Sequence, residues 1–464
     1  MKLTYSQKWA IKDKRVYDLD KKRIKLNKLT CQIDSQMIAD PQTFVSQTTI
    51  KKRRNLAKDI QRSIRDIYNS KKSPEGFDDL ILRDINSNTK KILADDDYFY
   101  NSSSKINQTI AKYLSAIFGK AAYTKIKDAA RPRFFNHDAI DKRYSLIHEM
   151  TSKRLDEDMI LERTSYSRVR SLFELELDKI KKRVDEFYVE LGMIEEKPNY
   201  NIELAPVGCG ISFWEGHNFL MAIDPAKICC YKNKPQSDEF LFNKSEALVI
   251  GIHELGHGLE DKISETMPLG LRQNNSSFNT LCHGLISEGV ALETENLYLE
   301  WQKMNRKRHK ISEFDINLMD FYINSYVDEK IPGILYDLLQ QKEIEEDDNP
   351  DYPKSFSIIA SRKKLAEITG IKRYLKDYFL FDDHEFSETL GEMVYVFGKE
   401  HVSNLMKKIR NVLDLRSSAG KKIALCAISS GCWSDKKAQE EFIFDYYLPK
   451  AEKDGLIETE NKNP

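Results

Sequence analysis

Long hydrophobic runs are missing from this sequence. No apolar stretch approaches the roughly 18 residues that a membrane-spanning helix requires. The N-terminal residues, MKLTYSQKWAIKDKR, contain no hydrophobic segment of the kind that a secretory signal carries. We therefore expect a cytoplasmic protein that has no membrane partner.

A net charge is missing as well. The 73 basic residues are balanced by 73 acidic residues, which argues against non-specific nucleic-acid binding and against attraction to an anionic membrane surface. A basic run, Lys51–Arg54, lies in an amphipathic helical pattern from 51 to 70. We interpret the run as a solvated helix end, with a nucleic-acid patch as the alternative. No nucleic-acid partner is expected.

Cysteine is scarce and scattered. The chain has 7 cysteines, an odd number without the spacing of a disulfide framework. Cys229 and Cys230 are adjacent, and such a pair can form a strained disulfide or bind a soft metal. Reduced thiols in the core are the favoured interpretation, and no function is assigned to any cysteine.

The sequence does contain a short stretch with two histidines and a glutamate, Ile252–His257. Asn243 is the expected N-cap of a helix through this stretch, and Glu246 follows where a capping box places an acid. An apolar stripe at helical spacing supports the helix; it comprises Leu248, Ile252, Leu255 and Leu259.

Two histidines flank a glutamate in this helix. His253 and His257 are four residues apart, so both imidazoles project from one face, one turn apart. This is the HExxH pattern, in which the histidines bind Zn²⁺ and the intervening acid, here Glu254, is the general base.

A second helix is predicted about thirty residues later. Its apolar stripe includes a carboxylate; the stripe comprises Leu281, Leu285, Glu288 and Leu292. A carboxylate on a core-facing position must be protonated, paired or bound to a metal. Glu288 is therefore the candidate third ligand of a catalytic zinc site, in which water takes the fourth position.

Residues 243–300 resemble the active-site region of the gluzincin metallopeptidases. H-E-L-G-H is similar to the thermostable carboxypeptidase (Taq) and thimet oligopeptidase families, and S-E-G-V-A-L-E-T-E is similar to peptidase-like families that read E-G-W-A or E-G-L-A there. The resemblance implies one Zn²⁺ per chain, with His253, His257 and Glu288 as ligands and Glu254 as the base. Many gluzincins carry an acid where this chain has Leu292, so we expect Glu295 to orient a ligand histidine instead.

The resemblance extends weakly to a later helix. Glu392–Lys399 is similar to the Y-x-x-G helix of the E-G-W-A families, in which a tyrosine can face the zinc site. This implies Tyr395 as the residue that stabilises the oxyanion. His384 and Tyr378 are the alternatives, and each of the three can instead be a packing residue.

Short β-type runs precede the zinc helix. They lie at 201–204, 211–214 and 219–223, separated by glycine-containing turns. The resemblance implies a small antiparallel sheet whose edge binds an extended peptide by strand addition. A structural hairpin without a substrate role is the alternative.

Long helical patterns run from 106 to 130 and from 137 to 195. Antiparallel helices that form one wall of a cleft fit the resemblance, and a dimerising coiled coil is the alternative. We predict a mainly α, two-lobed fold with a deep cleft: residues 1–198 form a helical wall, and residues 199–464 carry the zinc site, the small sheet and the C-terminal helices.

Two further features can shape the cleft. The loop 267–275 contains Arg272, which can bind a substrate carboxylate or form a surface ion pair. Several glycines can let the two metal helices approach closely; they are Gly256, Gly258, Gly284 and Gly289.

The predicted function is zinc-dependent peptide hydrolysis, on peptides or an accessible protein C-terminus. Two alternatives stay open. One is zinc hydrolysis of a non-peptide amide. The other is a helical binding protein with a non-catalytic metal site, although a structural site has no need of a general base such as Glu254.

Overall fold

The structure is a computed structural model. It describes residues 7–39, 47–101, 163–195, 200–205, 210–215, 218–224, 228–231, 240–272, 282–320, 322–324 and 386–457. The chain is mainly helical, as predicted. Buried side chains from the N-terminal helices to the C-terminal helices form one continuous hydrophobic core. Most of the long pattern at 106–195 lies outside the described residues, and the two-lobed cleft and the division at residue 198 stay predictions.

The helices are numbered in chain order. Those before the sheet are α1 (Lys14–Ala39), α2 (Gln47–Tyr68), α3 (Phe77–Asn101) and α4 (Arg163–Leu191). Those after it are α5 (Lys244–Ser264), α6 (Cys282–Met304), α7 (Arg306–His309), α8 (Phe386–Arg410), α9 (Ser418–Ser429), α10 (Lys436–Glu441) and α11 (Leu448–Lys453), with a π-helical turn at Phe442–Tyr447. Within the described part of the chain, no helix is both long enough and apolar enough to cross a bilayer.

Helix α5 begins where the capping pattern predicts. The Asn243 side chain accepts a hydrogen bond from the backbone N–H of Glu246 at 3.2 Å, which satisfies a donor that the first helical turn leaves unpaired. The capping box closes differently from the expectation. The backbone N–H of Asn243 already donates to the Ile228 carbonyl, so the Glu246 carboxylate accepts from the Asn243 side-chain amide at 3.0 Å. The predicted apolar stripe is buried throughout.

Helix α4 supports α5 from the core. Its buried residues include Phe173, Ile180, Val184 and Phe187, whereas Leu175 is 72% exposed. Tyr188 is fully buried, and its hydroxyl donates to the backbone carbonyl of Ile252 at 2.7 Å. This bond ties α4 to the turn of α5 that precedes His253.

The N-terminal helices are tied to the end of α5 by a buried ion network. Arg23 on α1 pairs with Asp20 and, at 2.7 Å, with Asp84 on α3. Asp20 also accepts from the backbone N–H of Gly270 at 2.9 Å, in the 3₁₀ turn that follows α5. Asp84 accepts from the backbone N–H of Ser434 at 2.9 Å. Because unpaired charges are costly to bury, this network constrains how α1 and α3 dock on the region that follows α5.

The basic run on α2 is not a continuous surface patch. Lys51 and Lys52 are exposed, but Arg53 is fully buried and Arg54 is partly buried. Helix α2 begins at Gln47, so the run lies in its second turn and not at its end. The absence of a nucleic-acid partner stays a prediction.

A small sheet packs against α5, as predicted. Strands β1 (Tyr200–Leu204), β2 (Gly210–Glu215) and β3 (Asn218–Ile223) occur in the order β1–β3–β2. The prediction of an antiparallel sheet is wrong for one pairing: β2 and β3 are antiparallel, but β1 is parallel to β3. Side-chain alternation is the same for both directions, so the sequence pattern does not distinguish them. A separate antiparallel pair joins β4 (Cys229–Tyr231) to β5 (Phe240–Phe242).

The predicted glycines make three different contacts. A Cβ on Gly256 would meet Ala291 on α6 at an ordinary 3.5 Å, whereas one on Gly258 would meet the Phe219 ring of β3 at 2.7 Å. A Cβ on Gly289 would overlap the backbone of Gly398 on α8. Gly284 is part of α6, but its surroundings lie outside the described structure. Gly256 therefore lies between α5 and α6, while Gly258 accommodates the sheet and Gly289 accommodates α8.

Substitution of Gly289 should destabilise the fold. In Gly289→Ala the new Cβ would lie 2.7 Å from the Gly398 carbonyl carbon and 2.6 Å from Val402. Backbone atoms cannot rotate away as a side chain does, so we expect the free energy of unfolding to fall by about 1–3 kcal/mol. This loss is larger than the gain of about 1 kcal/mol that alanine brings through helix propensity. Urea unfolding monitored by circular dichroism measures the free energy of unfolding.

The matched control is Gly256→Ala. Its Cβ has ordinary contacts, so stability should be unchanged or should rise by up to about 1 kcal/mol. Equal stability of Gly289→Ala and the native chain would contradict the close approach of α6 and α8.

Candidate metal centre

The two histidines of α5 face one another across one helical turn. Their Nε2 atoms are 3.1 Å apart, and the rings meet edge to face with centroids 4.7 Å apart. Both side chains are largely buried, at 12% and 19% exposure for His253 and His257. The spacing along α5 therefore brings two imidazole nitrogens to one point, as predicted.

Helix α6 brings the carboxylate of Glu288 to the same point. Its Oε2 atom lies 3.2 Å from His253 Nε2 and 3.7 Å from His257 Nε2. The three residues offer ligand atoms that all lie within 4.8 Å of one another. The group of His253, His257 and Glu288 can hold a metal ion.

These separations match those of a tetrahedral metal site. With bonds of about 2.0–2.1 Å, neighbouring ligand atoms of a tetrahedral zinc site lie about 3.3–3.4 Å apart. The observed separations of 3.1, 3.2 and 3.7 Å span that value. Glu288 Oε2 is shielded from solvent and faces the Nε2 atoms of both histidines. A buried acceptor in this position fits a cation better than it fits a hydrogen-bonded core.

Each histidine is held by its other nitrogen. His253 Nδ1 lies 2.6 Å from the carboxylate of Glu295, and His257 Nδ1 lies 2.8 Å from the hydroxyl of Ser287. Both partners are on α6, at 5% exposure each. The two contacts fix the rings with Nε2 directed toward Glu288, which is the arrangement that metal-binding histidines use. The structure thus places Glu295 where the prediction put it.

The charges of the centre are unequal. Burial opposes a charge on His253, but hydrogen bonds and charge from Glu288 and Glu295 raise the pKa of His253 well above its ordinary value. Burial lowers the pKa of His257. Burial favours the neutral form of Glu288, yet both histidines and the Tyr395 hydroxyl hold the pKa of that carboxyl below its ordinary value. Without a metal, these surroundings therefore favour the positively charged form of His253 and the neutral form of His257.

Glu254 lies beside the centre and is not one of the three grouped residues. It is 5% exposed, and its charge acts on His257. The backbone around it is held from two sides: Tyr188 binds the carbonyl of Ile252, and the Ser212 hydroxyl of β2 donates to the carbonyl of Glu254 at 3.3 Å. These bonds fix the turn of α5 that carries both His253 and Glu254.

Tyr395 reaches the centre from α8. Its ring lies 6.3 Å from that of His253, centroid to centroid, at an interplanar angle of 25°. Its hydroxyl is hydrogen-bonded to the carboxylate of Glu288. The tyrosine is thus at the site, in contact with the candidate ligand.

The remaining candidates are elsewhere or outside the described residues. Arg272 is partly buried, and its Nε donates to the carbonyl of Met267 at 2.9 Å, so part of its guanidinium holds its own loop. His384 and Tyr378 lie outside the described residues. Leu292, which replaces the acid of many gluzincins, is 1% exposed and belongs to the core.

Three residues at the centre were not identified from the sequence. Tyr188 lies on a distant helix, and no local signal connects it to the motif. Ser287 directly precedes Glu288, and Glu260 follows His257 by three residues, on the same side of α5. Their proximity to the motif was visible, but their partners depend on how α5 and α6 pack.

Comparisons with known proteins add little to this geometry. No protein-family model matches the chain, and no curated protein sequence matches it. A solved structure of a Pyrococcus furiosus carboxypeptidase aligns with 95% of this chain and 100% of its own, with a TM-score of 0.40 and 13% identity. A likeness at that level carries no argument about activity.

Metal binding should release a proton. Zn²⁺ binds the neutral imidazole, whereas the raised pKa of His253 keeps that ring protonated at neutral pH. The apparent affinity for Zn²⁺ should therefore rise with pH, by up to about tenfold per pH unit, until the pH passes the pKa of His253. Calorimetric titration in two buffers of different ionisation enthalpy measures the released proton.

Two ligand variants provide the control. His257→Ala and Glu288→Ala should each lose most of the Zn²⁺ binding, because each removes one of three protein ligands. Full binding by both variants would contradict the ligand assignment. Binding without proton release in the native protein would contradict the charge assignment of His253.

Proposed function

We propose that this chain is a zinc-dependent metallopeptidase that hydrolyses peptide bonds, on peptides or on an accessible protein C-terminus. The observation that carries the proposal is the group of His253, His257 and Glu288, with Glu254 buried beside it. A two-histidine, one-glutamate set leaves a fourth position for water, which is the arrangement of catalytic rather than structural zinc sites.

Glu254 acts as the general base in this proposal. When bound, zinc polarises the scissile carbonyl and lowers the pKa of water toward about 7. Glu254 accepts the proton of the attacking water and delivers it to the leaving amine. The bonds from Tyr188 and Ser212 to the backbone of α5 hold Glu254 in one position relative to His253.

Tyr395 is the proposed donor to the developing oxyanion. In the absence of substrate its hydroxyl is bound to the Glu288 carboxylate, which keeps the phenol at the centre. From this position the hydroxyl would donate a hydrogen bond to the carbonyl oxygen of a bound substrate. A well-placed donor of this kind contributes about 3 kcal/mol to the rate.

The proposed peptide site is the edge of the small sheet. In the order β1–β3–β2, strand β2 lies at one edge of the described sheet, and Ser212 of β2 contacts the backbone of Glu254. An extended peptide that adds to this edge would run past Glu254 with its backbone aligned by main-chain hydrogen bonds.

Digestion of a mixed peptide library, followed by mass spectrometry, tests the proposed activity. Stepwise loss of C-terminal residues would identify a carboxypeptidase, and internal cleavage would identify an oligopeptidase. The absence of chelator-sensitive cleavage would contradict the proposed peptidase function.

Replacement of the base should abolish hydrolysis without loss of metal. Glu254→Gln retains the size of the side chain but cannot accept the proton, so peptide hydrolysis should fall by about two to four orders of magnitude. Zinc content, measured by atomic emission, should stay at about one per chain because the three ligands are unchanged.

Glu265→Gln is the matched control for this experiment. Glu265 follows the same helix, and its side chain is 59% exposed and pairs with Lys262, so the variant should cleave at the native rate. A Glu254→Gln protein that cleaves as fast as the native protein would show that the mechanism is wrong.

Loss of the Tyr395 hydroxyl should slow turnover. Tyr395→Phe retains the ring beside His253 but removes the donor, and we expect kcat to fall by about a hundredfold with unchanged zinc content. Tyr17→Phe, which alters an exposed tyrosine of α1, is the control for removal of a phenol hydroxyl. An unchanged kcat in Tyr395→Phe would leave Tyr395 with a packing role only.

A further inference from the structure

A hydroxyl group connects one histidine of the centre to a second buried carboxylate. Ser287 Oγ lies 2.8 Å from His257 Nδ1, and the same side chain is hydrogen-bonded to Glu260. Ser287 is on α6, whereas His257 and Glu260 are on α5, one turn apart. The chain of contacts therefore runs from α5 to α6 and back to α5.

The chemistry of the groups gives this chain a direction. A neutral histidine that binds a metal through Nε2 carries its hydrogen on Nδ1, so Nδ1–H is a hydrogen-bond donor. Ser287 Oγ accepts this hydrogen bond, and its own hydroxyl can donate to one further acceptor. Glu260 supplies a carboxylate oxygen for it. A serine beside His257 without such an acceptor would be a weaker partner, because its hydroxyl hydrogen would be unsatisfied in a buried place.

Glu260 is an unexpected residue in this position. It is 1% exposed, and burial of a carboxylate is costly unless the site makes use of it. Burial raises its pKa well above the ordinary value, while the bond from Ser287 acts in the opposite direction. The hydrogen bond from Ser287 thus favours the charged form of the Glu260 carboxylate, whereas burial disfavours that form.

The two histidines are supported in different ways. His253 is in direct contact with the Glu295 carboxylate at 2.6 Å. We infer that Glu260 is the corresponding positioning residue for His257, and that it acts through the hydroxyl of Ser287. Both ligand imidazoles then have a carboxylate behind them, one direct and one relayed, which orients the rings and increases their basicity toward the metal.

This inference rests on the metal site of the proposed function but not on peptide hydrolysis. The experiment measures the dissociation constant for Zn²⁺ by competition with a chromogenic chelator. The variants are Ser287→Ala, Glu260→Met, Glu260→Gln and the double variant Ser287→Ala/Glu260→Met. Methionine removes the acceptor oxygen from position 260, whereas glutamine retains one.

We expect a coupled pattern of losses. Ser287→Ala and Glu260→Met should each weaken Zn²⁺ binding by about 10–100-fold, the usual effect of removing a hydrogen-bond partner of a ligand. The double variant should bind as weakly as Ser287→Ala alone, because both changes interrupt one chain of contacts. Glu260→Gln should recover a substantial part of the affinity that Glu260→Met loses. The cobalt-substituted protein should show the same visible absorption change in Ser287→Ala and Glu260→Met.

Ser264→Ala is the matched control. It removes another buried hydroxyl from α5, one that donates within its own helix to the Asp261 carbonyl at 2.8 Å, so it should leave the Zn²⁺ affinity and the cobalt spectrum unchanged.

Three results would overturn the inference. They are native Zn²⁺ affinity in Glu260→Met, additive losses in the double variant, and absence of Zn²⁺ binding by the native protein. Coupled losses in a protein that cleaves no peptide would support the inference while contradicting the proposed peptidase function, so the two failures are distinguishable.

Discussion

The packing of α6 against α5 is the constraint on which the centre depends. Two histidines on one helix supply only two ligand atoms, and the third comes from Glu288 on the other helix, 3.2 Å from His253 Nε2. The same contact brings Glu295 and Ser287 behind the two imidazoles. A shift of α6 by one residue would rotate all of these groups away together. The ligand and its supporting side chains are therefore a single consequence of one helix–helix register.

Several buried carboxylates lie near the two histidines. Glu254, Glu260 and Glu295 are each at most 5% exposed, and the Glu288 side chain is 20% exposed. Glu288 and Glu295 contact the imidazole of His253. Burial raises the pKa of Glu260 and of Glu295, which disfavours their charged forms. A divalent cation bound by His253, His257 and Glu288 would favour the charged forms of nearby carboxylates.

The surrounding fold serves to hold α5 in place. The Asn243 cap fixes its start, Tyr188 and Ser212 bind backbone carbonyls in its central turns, and the Asp20–Gly270 bond secures the turn that follows it. The glycines leave space for close neighbours: Gly258 for the sheet and Gly289 for α8. Several elements therefore fix the backbone of α5 around His253 and His257.

Local pattern determined a large part of this protein. The spacing of His253 and His257, the Asn243 cap, the buried stripe of α5 and the three short strands all depend on periodicity along the chain, and each is present in the structure. Tertiary structure decided the rest, because periodicity does not specify which face meets which neighbour. The parallel pairing of β1, the bond from Tyr188 to Ile252 and the approach of Gly289 to α8 each join residues far apart in sequence. The connection from His257 through Ser287 to Glu260 exists only because α6 places a hydroxyl between two residues of α5. The spacing of residues within either helix does not predict this contact.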